Sequence, residues 1–325
     1  MTVSILLPLY NSEKFIVEAI DSVLCQTFQD FELLVIDDKS TDCSAEIVYK
    51  YTDKRIKLHR RDHFGLIDSL NYGISQAKGE LIARFDSDDI CLPDRLVRQV
   101  DFLNDHSEVG VLSGGAYLID SKGRQSKKAV KMPQLHDEIV LSLENFSNPI
   151  MHPTVMVRRD LLISHGGYRK DFSVAEDYEL WLRMIRNGVR YECLPDPVIK
   201  LRRFDGNVSS TKFKSSVHSC LRAIIEHLFW KRKGFDLSSL SFESRKSVME
   251  KALKSLDATC LVELLCWRHN LSDKTKTYDV NAVFGFGQCL FNHNKRKILF
   301  RKTKKVLSVI RDIVDGIDVL SDVQN

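Results

Sequence analysis

The sequence lacks the glycine-rich motifs with which many proteins bind nucleotides. Neither Gly-x-Gly-x-x-Gly nor Gly-x-x-x-x-Gly-Lys occurs in its 325 residues. Their absence argues against a dinucleotide-binding site and against a P-loop nucleotide site. If a nucleotide binds, acidic residues and a metal must hold its phosphates. Cysteine occurs eight times without a Cys-x-x-Cys pair, and no histidine spacing suits zinc. This pattern fits reduced thiols in a cytosolic protein.

Long apolar runs and a strong excess of one charge are also missing. No segment approaches the ~18 uninterrupted apolar residues of a membrane span. The N-terminal apolar run has no basic start and is interrupted by Pro8, so it fits a first strand better than a signal peptide. The formal net charge of +4 is too small to indicate a nucleic-acid partner. We therefore expect a cytoplasmic protein, with attachment to the membrane surface left open.

The first 110 residues alternate between strand and helix patterns. The strand-like segments are VSILLPL, FELLVI, IKLHRR and ELIARF, with helix-like segments between them. This rhythm predicts an α/β fold whose sheet is mainly parallel and flanked by helices. After Val109 the pattern is mixed, and from about Ser215 it is purely helical. A domain boundary is therefore expected near residues 210–215.

Three carboxylates, Asp86, Asp88 and Asp89, directly follow the apolar segment that ends at Phe85. Strand propensity collapses there, so the acids are expected where a buried strand reaches the ligand-binding edge of the sheet. At ~4 Å and an effective dielectric of ~20, each carboxylate pair costs on the order of 4 kcal/mol. A hard divalent cation with oxygen ligands would remove this repulsion. The alternative is a simple turn, which aspartate also favours.

Asp38 stands at the end of the second strand-like segment. Pro8, Tyr10 and Asn11 end the first such segment and should lie beside it, because sequential strands of this kind are usually neighbours. One interpretation is that Asp38 accepts a hydrogen bond from a base or a ribose at this edge. The other is that residues 37–42 only begin a helix, with Ser40 or Thr41 supplying the N-cap oxygen.

Glu176 and Asp177 open another helix-like segment, with Trp181 one turn further on. Acids in a first helical turn complement the helix dipole, but one of them could instead be a general base at the mouth of a cleft. Trp181 is either a core residue or a platform for a sugar ring. His152 is interpreted as a hydrogen-bonded loop histidine. Arg84 either neutralises a phosphate or pairs with a neighbouring acid.

Taken together, these segments resemble glycosyltransferase family 2, whose members are inverting enzymes with a GT-A-type fold. The resemblance covers roughly residues 3–210 and is carried by VSILLPLYN, SVLCQTFQDFELLVIDDKSTDCS, KGELIARFDSDDICLPDRL and AEDYELW. The subgroup it most resembles extends bacterial O-antigen or lipooligosaccharide chains and includes β-1,3-galactosyl- and N-acetylhexosaminyltransferases. The resemblance implies a catalytic domain over 1–212, with a donor-binding part of about 1–110 and an acceptor part of about 111–212.

The resemblance also implies roles for individual residues. Asp88 is expected to bind Mn²⁺ or Mg²⁺ directly with Asp86 beside it, and Asp177 to act as the catalytic base. Apart from the resemblance, the place of Asp89 before a helix-like segment predicts that it caps that helix. The implied donor-binding residues are Pro8, Tyr10, Asn11, Asp38, Arg84, Asp86 and Arg202. The implied acceptor-side residues are Glu176, Trp181 and His152.

One position departs from the family pattern. After the last strand, relatives often read Tyr-Arg-x-His, and that histidine helps bind the metal or the diphosphate. Here the stretch is Leu201-Arg202-Arg203-Phe204, and phenylalanine cannot ligate a metal. Either diphosphate oxygens and water complete the metal's shell, or Arg202 and Arg203 carry more of the charge.

The resemblance implies transfer of a hexose or N-acetylhexosamine (Gal, GlcNAc, GalNAc or Glc) from a UDP-sugar, with inversion. The acceptor would be a hydroxyl of a bacterial surface glycan on polyprenyl diphosphate or lipid A-core, and the product β-linked, with β-1,3 favoured. The setting would be O-antigen, lipopolysaccharide or capsule biosynthesis. Two alternatives stay open: a polyprenyl-phosphate glycosyltransferase and a non-catalytic sugar-nucleotide-binding protein. The donor sugar, acceptor and oligomeric state are not identified by the sequence.

The C-terminal third, residues 213–325, is expected to be helical. Basic residues are dense over 295–305, and apolar residues follow at helical spacing. A basic amphipathic helix over about 295–320 would suit an anionic membrane surface, at ~1 kcal/mol per basic residue. The segment Phe-Trp-Lys-Arg-Lys at 229–233 would add an aromatic anchor. The alternative is that the apolar stripe packs on the catalytic domain or on a second subunit.

Overall fold

The structure of the protein is a computed structural model that describes most of the first 234 residues. The described parts are residues 2–172, 174–204 and 213–234, together with Leu237, Val248, Val314 and Asp315. The predicted basic helix over 295–320 therefore lies outside the described residues, apart from Val314 and Asp315. The predicted domain boundary falls largely outside them as well, and it stays a prediction.

Nine strands of the described chain form one sheet. They are β1 (Val3–Leu9), β2 (Phe31–Asp37), β3 (Ile56–Arg60), β4 (Leu81–Arg84), β5 (Ile90–Cys91), β6 (Val109–Ile119), β7 (Gln125–Val130), β8 (Met156–Arg158) and β9 (Arg190–Arg202). Their order is β3-β2-β1-β4-β8-β6-β9-β5, with β7 paired to β6. The half from β3 to β4 is parallel, as its alternation with helices predicts. Beyond β4, parallel pairing is found between β6 and β9, and the other pairs are antiparallel. The sheet is therefore mixed, and it is mainly parallel only in its first half.

Helices flank the sheet on both faces. They are α1 (Ile16–Leu24), α2 (Ser44–Tyr49), α3 (Leu66–Gln76), α4 (Arg95–Asp105), α5 (His136–Leu143), α6 (Arg159–Ser164), α7 (Glu176–Arg186) and α8 (Phe213–Lys233), with a 3₁₀ turn at His152–Thr154. Strand β1 is buried along its whole length. Its Ile5 and Leu7 pack in the core that contains α1 and α4, while Leu6 packs in the core that contains α3. A strand covered on both faces explains the continuous apolar run in the sequence.

Helix α3 lies very close to β1 because residue 73 is glycine. A Cβ at Gly73 would come within 2.0 Å of Leu6 Cδ1. On the same face of the sheet, α8 shares a core with α7, to which it contributes Ile225 and Phe229. Among the described residues, no helix is both long and apolar enough to cross a membrane.

Candidate active site

The loops that follow β1, β2 and β4 meet at one edge of the sheet. Asp38 donates its backbone N–H to the carbonyl of Leu9 at 2.9 Å, which joins the ends of β1 and β2. The hydroxyls of Ser12 and Ser87 lie 2.7 Å apart, which joins the loop after β1 to the loop after β4. Because parallel strands end at a common edge, the predicted donor-side residues lie in one region.

Asp38 is buried, and its carboxylate is bound to the backbone that leads into α3. One oxygen accepts from Phe64 N at 2.9 Å and the other from Gly65 N at 3.0 Å. His63 Nδ1 lies 3.0 Å from the second oxygen. The half-exposed ring of Tyr10 lies against the His63 ring, with 4.7 Å between centroids. This region offers an exposed aromatic face beside a fixed carboxylate.

Pro8 and Asn11 build the edge on which Asp38 lies. Pro8 is buried in β1 and pairs with Ile36 of β2. Asn11 adopts φ 50°, its Oδ1 accepts from Thr41 N at 2.8 Å, and its N–H donates to Ser40 Oγ at 3.1 Å. Contact of Pro8 or Asn11 with a donor stays a prediction.

The carboxylate cluster consists of Asp86, Asp88 and Asp89, each with an oxygen within 4.8 Å of the others. Burial, and then the charge of Asp86, raises the pKa of Asp88 to about 6. The same causes raise the pKa of Asp89 well above its usual range. Oδ2 of Asp89 is buried without a hydrogen-bond partner among the described residues. An oxygen-only donor set with mutually repelling charges fits Mg²⁺ or Mn²⁺.

The interpretation of Asp89 as a helix cap is wrong. The N-cap position of α4 is Asp94, and Asp89 is buried against β9, where its Oδ1 accepts from Arg202 N at 2.7 Å. The antiparallel pairing of β5 with β9 produces this contact. Asp89 therefore belongs to the carboxylate cluster.

The acid pair, Glu176 and Asp177, begins α7 directly after Ala175. Ala175 adopts a left-handed conformation, with φ 72° and ψ 31°, which costs roughly 1–2 kcal/mol for a residue other than glycine. Asp177 is partly exposed. Its Oδ2 accepts from Asn148 Nδ2 at 2.8 Å, and its Oδ1 accepts from Tyr178 N at 2.7 Å. The carboxylate is thus held in one orientation and is still partly exposed.

The acid pair and the carboxylate cluster act on each other electrostatically. Burial, and then the charge of Asp177, raises the pKa of Glu176 to about 8, and Asp86 adds to this effect. Burial also raises the pKa of Asp177, against the opposing effect of its hydrogen bond from Asn148. The buried Arg84 lowers the pKa of both acids and forms an ion pair with Asp86. The site therefore contains two acidic groups that are both influenced by the charge of one buried arginine.

Known proteins are similar in sequence to much of this chain. Residues 4–166 match the family described as glycosyl transferase family 2. The O-antigen biosynthesis glycosyltransferase WbnJ of Escherichia coli is 33% identical over 238 residues, which cover 71% of this chain and 90% of WbnJ.

The chain belongs to glycosyltransferase family 2.

A second relative, the amylovoran biosynthesis glycosyltransferase AmsE of Erwinia amylovora, is 31% identical over 245 residues, which cover 74% of this chain and 90% of AmsE. Solved structures agree in fold. TarS 1–349 of S. aureus in complex with UDP-GlcNAc aligns over 97% of this chain and 91% of its own, with a TM-score of 0.59 and 22% identity. The mannosyltransferase PcManGT of Pyrobaculum calidifontis, in complex with GDP-Man and Mn²⁺, aligns over 97% and 88%, with a TM-score of 0.53 and 18% identity. The predicted GT-A-type fold is confirmed.

Arg202, which the family resemblance placed at the donor, is buried and bonded to the protein. Its Nε donates to the carbonyl of Asp88 at 2.7 Å, Nη1 to the carbonyl of Asp120 at 3.1 Å, and Nη2 to the carboxylate of Glu18. Its guanidinium also lies over the ring of Phe15, 4.5 Å from the centroid. These contacts stabilise the loop that carries the carboxylate cluster. Donor binding by Arg202 would require some of these bonds to break.

Phe204, at the position of the family's histidine, packs against Phe15 with 5.3 Å between ring centroids. Its neighbour Arg203 is half-buried and acts electrostatically on all three carboxylates of the cluster. Of the two arginines in this stretch, Arg203 is therefore the one whose charge is directed at the cluster. This supports the alternative in which an arginine offsets charge that the missing histidine would have shared.

His152 and Trp181 both lie in the interior. His152 Nε2 is 2.7 Å from the Tyr168 hydroxyl, and its Nδ1 is 3.9 Å from a carboxylate oxygen of Glu176. Burial holds the pKa of His152 well below its usual range, so the ring is neutral. Trp181 is fully buried, edge-on to His152 and to Tyr191. These contacts support the core alternative for Trp181, and its place on the acceptor side stays a prediction.

Asn148 and Tyr168 are site residues that sequence reasoning did not single out. Asn148 lies 29 positions before Asp177, to which it bonds, and Tyr168 lies 16 positions after His152. No spacing rule connects such pairs, since β8, α6 and the loops around them lie between the partners. In the sequence, the signal for Asn148 was its polar side chain in the stretch Asn-Pro-Ile-Met-His-Pro, residues 148–153.

Proposed function

We propose that the protein is an inverting, metal-dependent transferase that moves a hexose or N-acetylhexosamine from a UDP-sugar to a hydroxyl of a bacterial surface glycan. The observation that carries this proposal is the arrangement of the site. An oriented, accessible carboxylate at Asp177 shares one electrostatic environment with the carboxylate cluster around Asp88. An inverting displacement needs such a base, together with a way to neutralise the leaving diphosphate.

Relatives support the chemical class of donor and product. Two of them are named for O-antigen and amylovoran biosynthesis, which favours a polysaccharide acceptor here. TarS binds UDP-GlcNAc, which favours a UDP-sugar as donor. PcManGT binds GDP-Man with Mn²⁺, which favours a metal at the corresponding acids.

The mechanism assigns one role to each part of the site. Asp177 accepts the proton of the acceptor hydroxyl as that oxygen attacks the anomeric carbon. The attack comes from the face opposite the nucleoside diphosphate, so an α-linked donor gives a β-linked product. Asn148 keeps the carboxylate of Asp177 in one orientation, and Arg203 offsets negative charge beside the cluster. Lewis-acid stabilisation of the leaving oxygen is the chemistry that a divalent cation at Asp86 and Asp88 supplies when bound.

The acceptor and cellular location follow from the same reasoning. We propose an acceptor carried on polyprenyl diphosphate or lipid A-core, a β-1,3 linkage, and work at the inner face of the cytoplasmic membrane. Contact of the C-terminal helical region with that surface would bring the site to a lipid-linked acceptor. Vesicle binding by the full chain and by a chain cut near residue 290 tests this contact. Undiminished binding by the shortened chain would contradict it.

The main experiment screens UDP-Gal, UDP-Glc, UDP-GlcNAc and UDP-GalNAc for metal-dependent release of UDP, with and without glycan acceptors. We expect turnover with at least one donor and loss of that turnover in Asp177→Asn, which should still bind UDP. NMR of the product should show the inverted anomer. UDP binding without consumption of any donor would instead favour the non-catalytic binding protein. Transfer to polyprenyl phosphate alone would favour the other alternative.

A further inference from the structure

The segment 167–172 leads into the acid pair, and α3 binds it through a reciprocal pair of hydrogen bonds. Asn71 Nδ2 donates to the carbonyl of Tyr168 at 2.8 Å, and Tyr168 N donates to Asn71 Oδ1 at 2.8 Å. Asn71 therefore fixes both polar groups of the Tyr168 backbone. It lies in the helix whose preceding amides, at Phe64 and Gly65, bind Asp38.

Gly167 makes this pairing possible. It adopts φ +64°, and a Cβ at this position would lie 2.4 Å from Asn71 Oδ1. Any side chain at residue 167 would thus be strained and would displace the amide of Asn71. The glycine at position 167 therefore allows the close contact between α3 and segment 167–172.

The Tyr168 side chain extends this contact to the acid pair. Tyr168 is buried, and its hydroxyl lies 2.7 Å from His152 Nε2. The other ring nitrogen of His152 faces Glu176 at 3.9 Å. A continuous series of contacts therefore runs from the donor-side helix α3 to the first turn of α7, where Asp177 lies.

The opposite side of segment 167–172 is bound by α8. Arg169 donates to the fully buried Glu226 at 2.5 Å, and Arg222 forms an ion pair with Asp171. Both guanidinium groups lie over the ring of Phe172, 4.7 and 4.4 Å from its centroid. The segment is therefore bound on both sides, and Tyr168 has little freedom to move away from His152.

We propose that Asn71 and Tyr168 are positioning residues that fix the acid pair, so that the donor-side helix α3 sets the orientation of the base Asp177. This inference rests on the proposed function, which assigns Asp177 as the base. The ordering of the acid pair by Asn71 and Tyr168 can be tested without that assignment, because the contacts lie within the protein. Loss of the Asn71 amide removes two hydrogen bonds at once, and loss of the Tyr168 hydroxyl removes its hydrogen bond to His152.

The test compares Asn71→Ala and Tyr168→Phe with Ser75→Ala, an exposed position on the same helix. We expect kcat to fall by about 10- to 100-fold in the first two variants, because a small misplacement of a reacting group is costly. The Kd for UDP should stay within about twofold, because Asp38 and its partners are untouched. The control should match the wild type. Tyr168→Phe deletes one oxygen, so it keeps the test valid if Asn71→Ala does not fold.

A second readout is independent of turnover. Hydrogen–deuterium exchange of residues 174–180 should be faster in both variants than in the wild type and the control. Exchange there as slow as in the wild type would overturn the proposal, as would kcat unchanged in both variants, or UDP affinity lost in parallel with kcat. A wild-type protein inactive on every donor would count against the proposed function, and the exchange measurement would still decide the positioning role.

Discussion

Asn148 donates a hydrogen bond from Nδ2 to Oδ2 of Asp177 at 2.8 Å. The bond opposes the effect of burial on this carboxylate, since burial raises the pKa of Asp177 and the donated hydrogen bond lowers it. A general base works best when it is deprotonated at the working pH and still basic enough to take a proton. At Asp177, the proposed base, burial raises the pKa, and the hydrogen bonds from Tyr178 N and Asn148 and the charge of Arg84 oppose it.

Substitution of Asp177, the proposed base, and of its partner Asn148 should change the kinetics in different ways. Asp177→Asn should lower kcat by about 10²–10⁴-fold, because the amide cannot accept the proton. Asn148→Ala should retain part of the activity but raise the pKa of Asp177, so that the acid limb of the kcat/KM profile moves upward by about one pH unit. Profiles of kcat/KM against pH measure both effects. An acid limb unmoved in Asn148→Ala would argue that another group is the base.

The carboxylate cluster should respond to a divalent cation and to loss of one charge. Excess EDTA should abolish turnover, and Mn²⁺ or Mg²⁺ should restore it. Mn²⁺ should also raise the Tm of the wild type, since a ligand that binds only the folded state stabilises it. Asp88→Asn should have a higher Tm than the wild type without metal, because it removes one of several repelling charges, and should respond less to Mn²⁺.

The matched control for Asp88→Asn is Asp94→Asn, an exposed position just beyond the same loop. It should keep the wild-type response to Mn²⁺ and the wild-type turnover. Full turnover of the wild type in EDTA would dismiss the metal's role. An equal Mn²⁺ response in both variants would remove Asp88 from the metal site.

The parallel half of the fold could be predicted because its signals are local. Strands such as Val3–Leu9 are buried on both faces and read as continuous apolar runs, and the helices between them follow at regular spacing. Strand β7 and helix α5 were not predicted. The sequence QSKKAV of β7 is largely exposed at the edge of the sheet, and it lacks the apolar alternation that marks a half-buried strand.

Contacts within the site were harder to predict because they join distant residues. Asp89 was interpreted as a cap from its place before a helix, but its partner Arg202 is 113 positions away and is brought to it by the pairing of β5 with β9. The sequence left two interpretations of Trp181 open, and its packing against His152 and Tyr191 favours the core residue over the sugar platform. The sequence therefore indicated which residue types form the site, but the contacts of these residues could be known only from the tertiary structure.

Trp181 should matter for stability and not for acceptor affinity. Its side chain is fully buried, so Trp181→Ala should cost about 3–5 kcal/mol of unfolding free energy. Trp181→Phe should cost less, about 1–3 kcal/mol of unfolding free energy. The indole N–H that it removes has no hydrogen-bond partner among the described residues, so no hydrogen bond is lost there. Urea unfolding measures the free energies, and KM for the acceptor should be unchanged in Trp181→Phe. A large rise in that KM would revive the sugar-platform interpretation.

Glu176 should make the protein less stable as the pH rises. Burial and the charge of Asp177 raise its pKa from 4.5 to about 8, so between these values the folded state binds a proton that the unfolded state has released. The free energy of unfolding therefore falls with rising pH across this window.

Glu176→Gln mimics the protonated acid. It should match the wild type below about pH 4.5 and exceed its stability by on the order of 5 kcal/mol above pH 8. Glu138→Gln, at an exposed first-turn acid of α5, is the matched control and should follow the wild type. Thermal or urea unfolding from pH 4 to 9 measures the difference, and parallel curves for the wild type and Glu176→Gln would show that Glu176 is ionised in the folded protein.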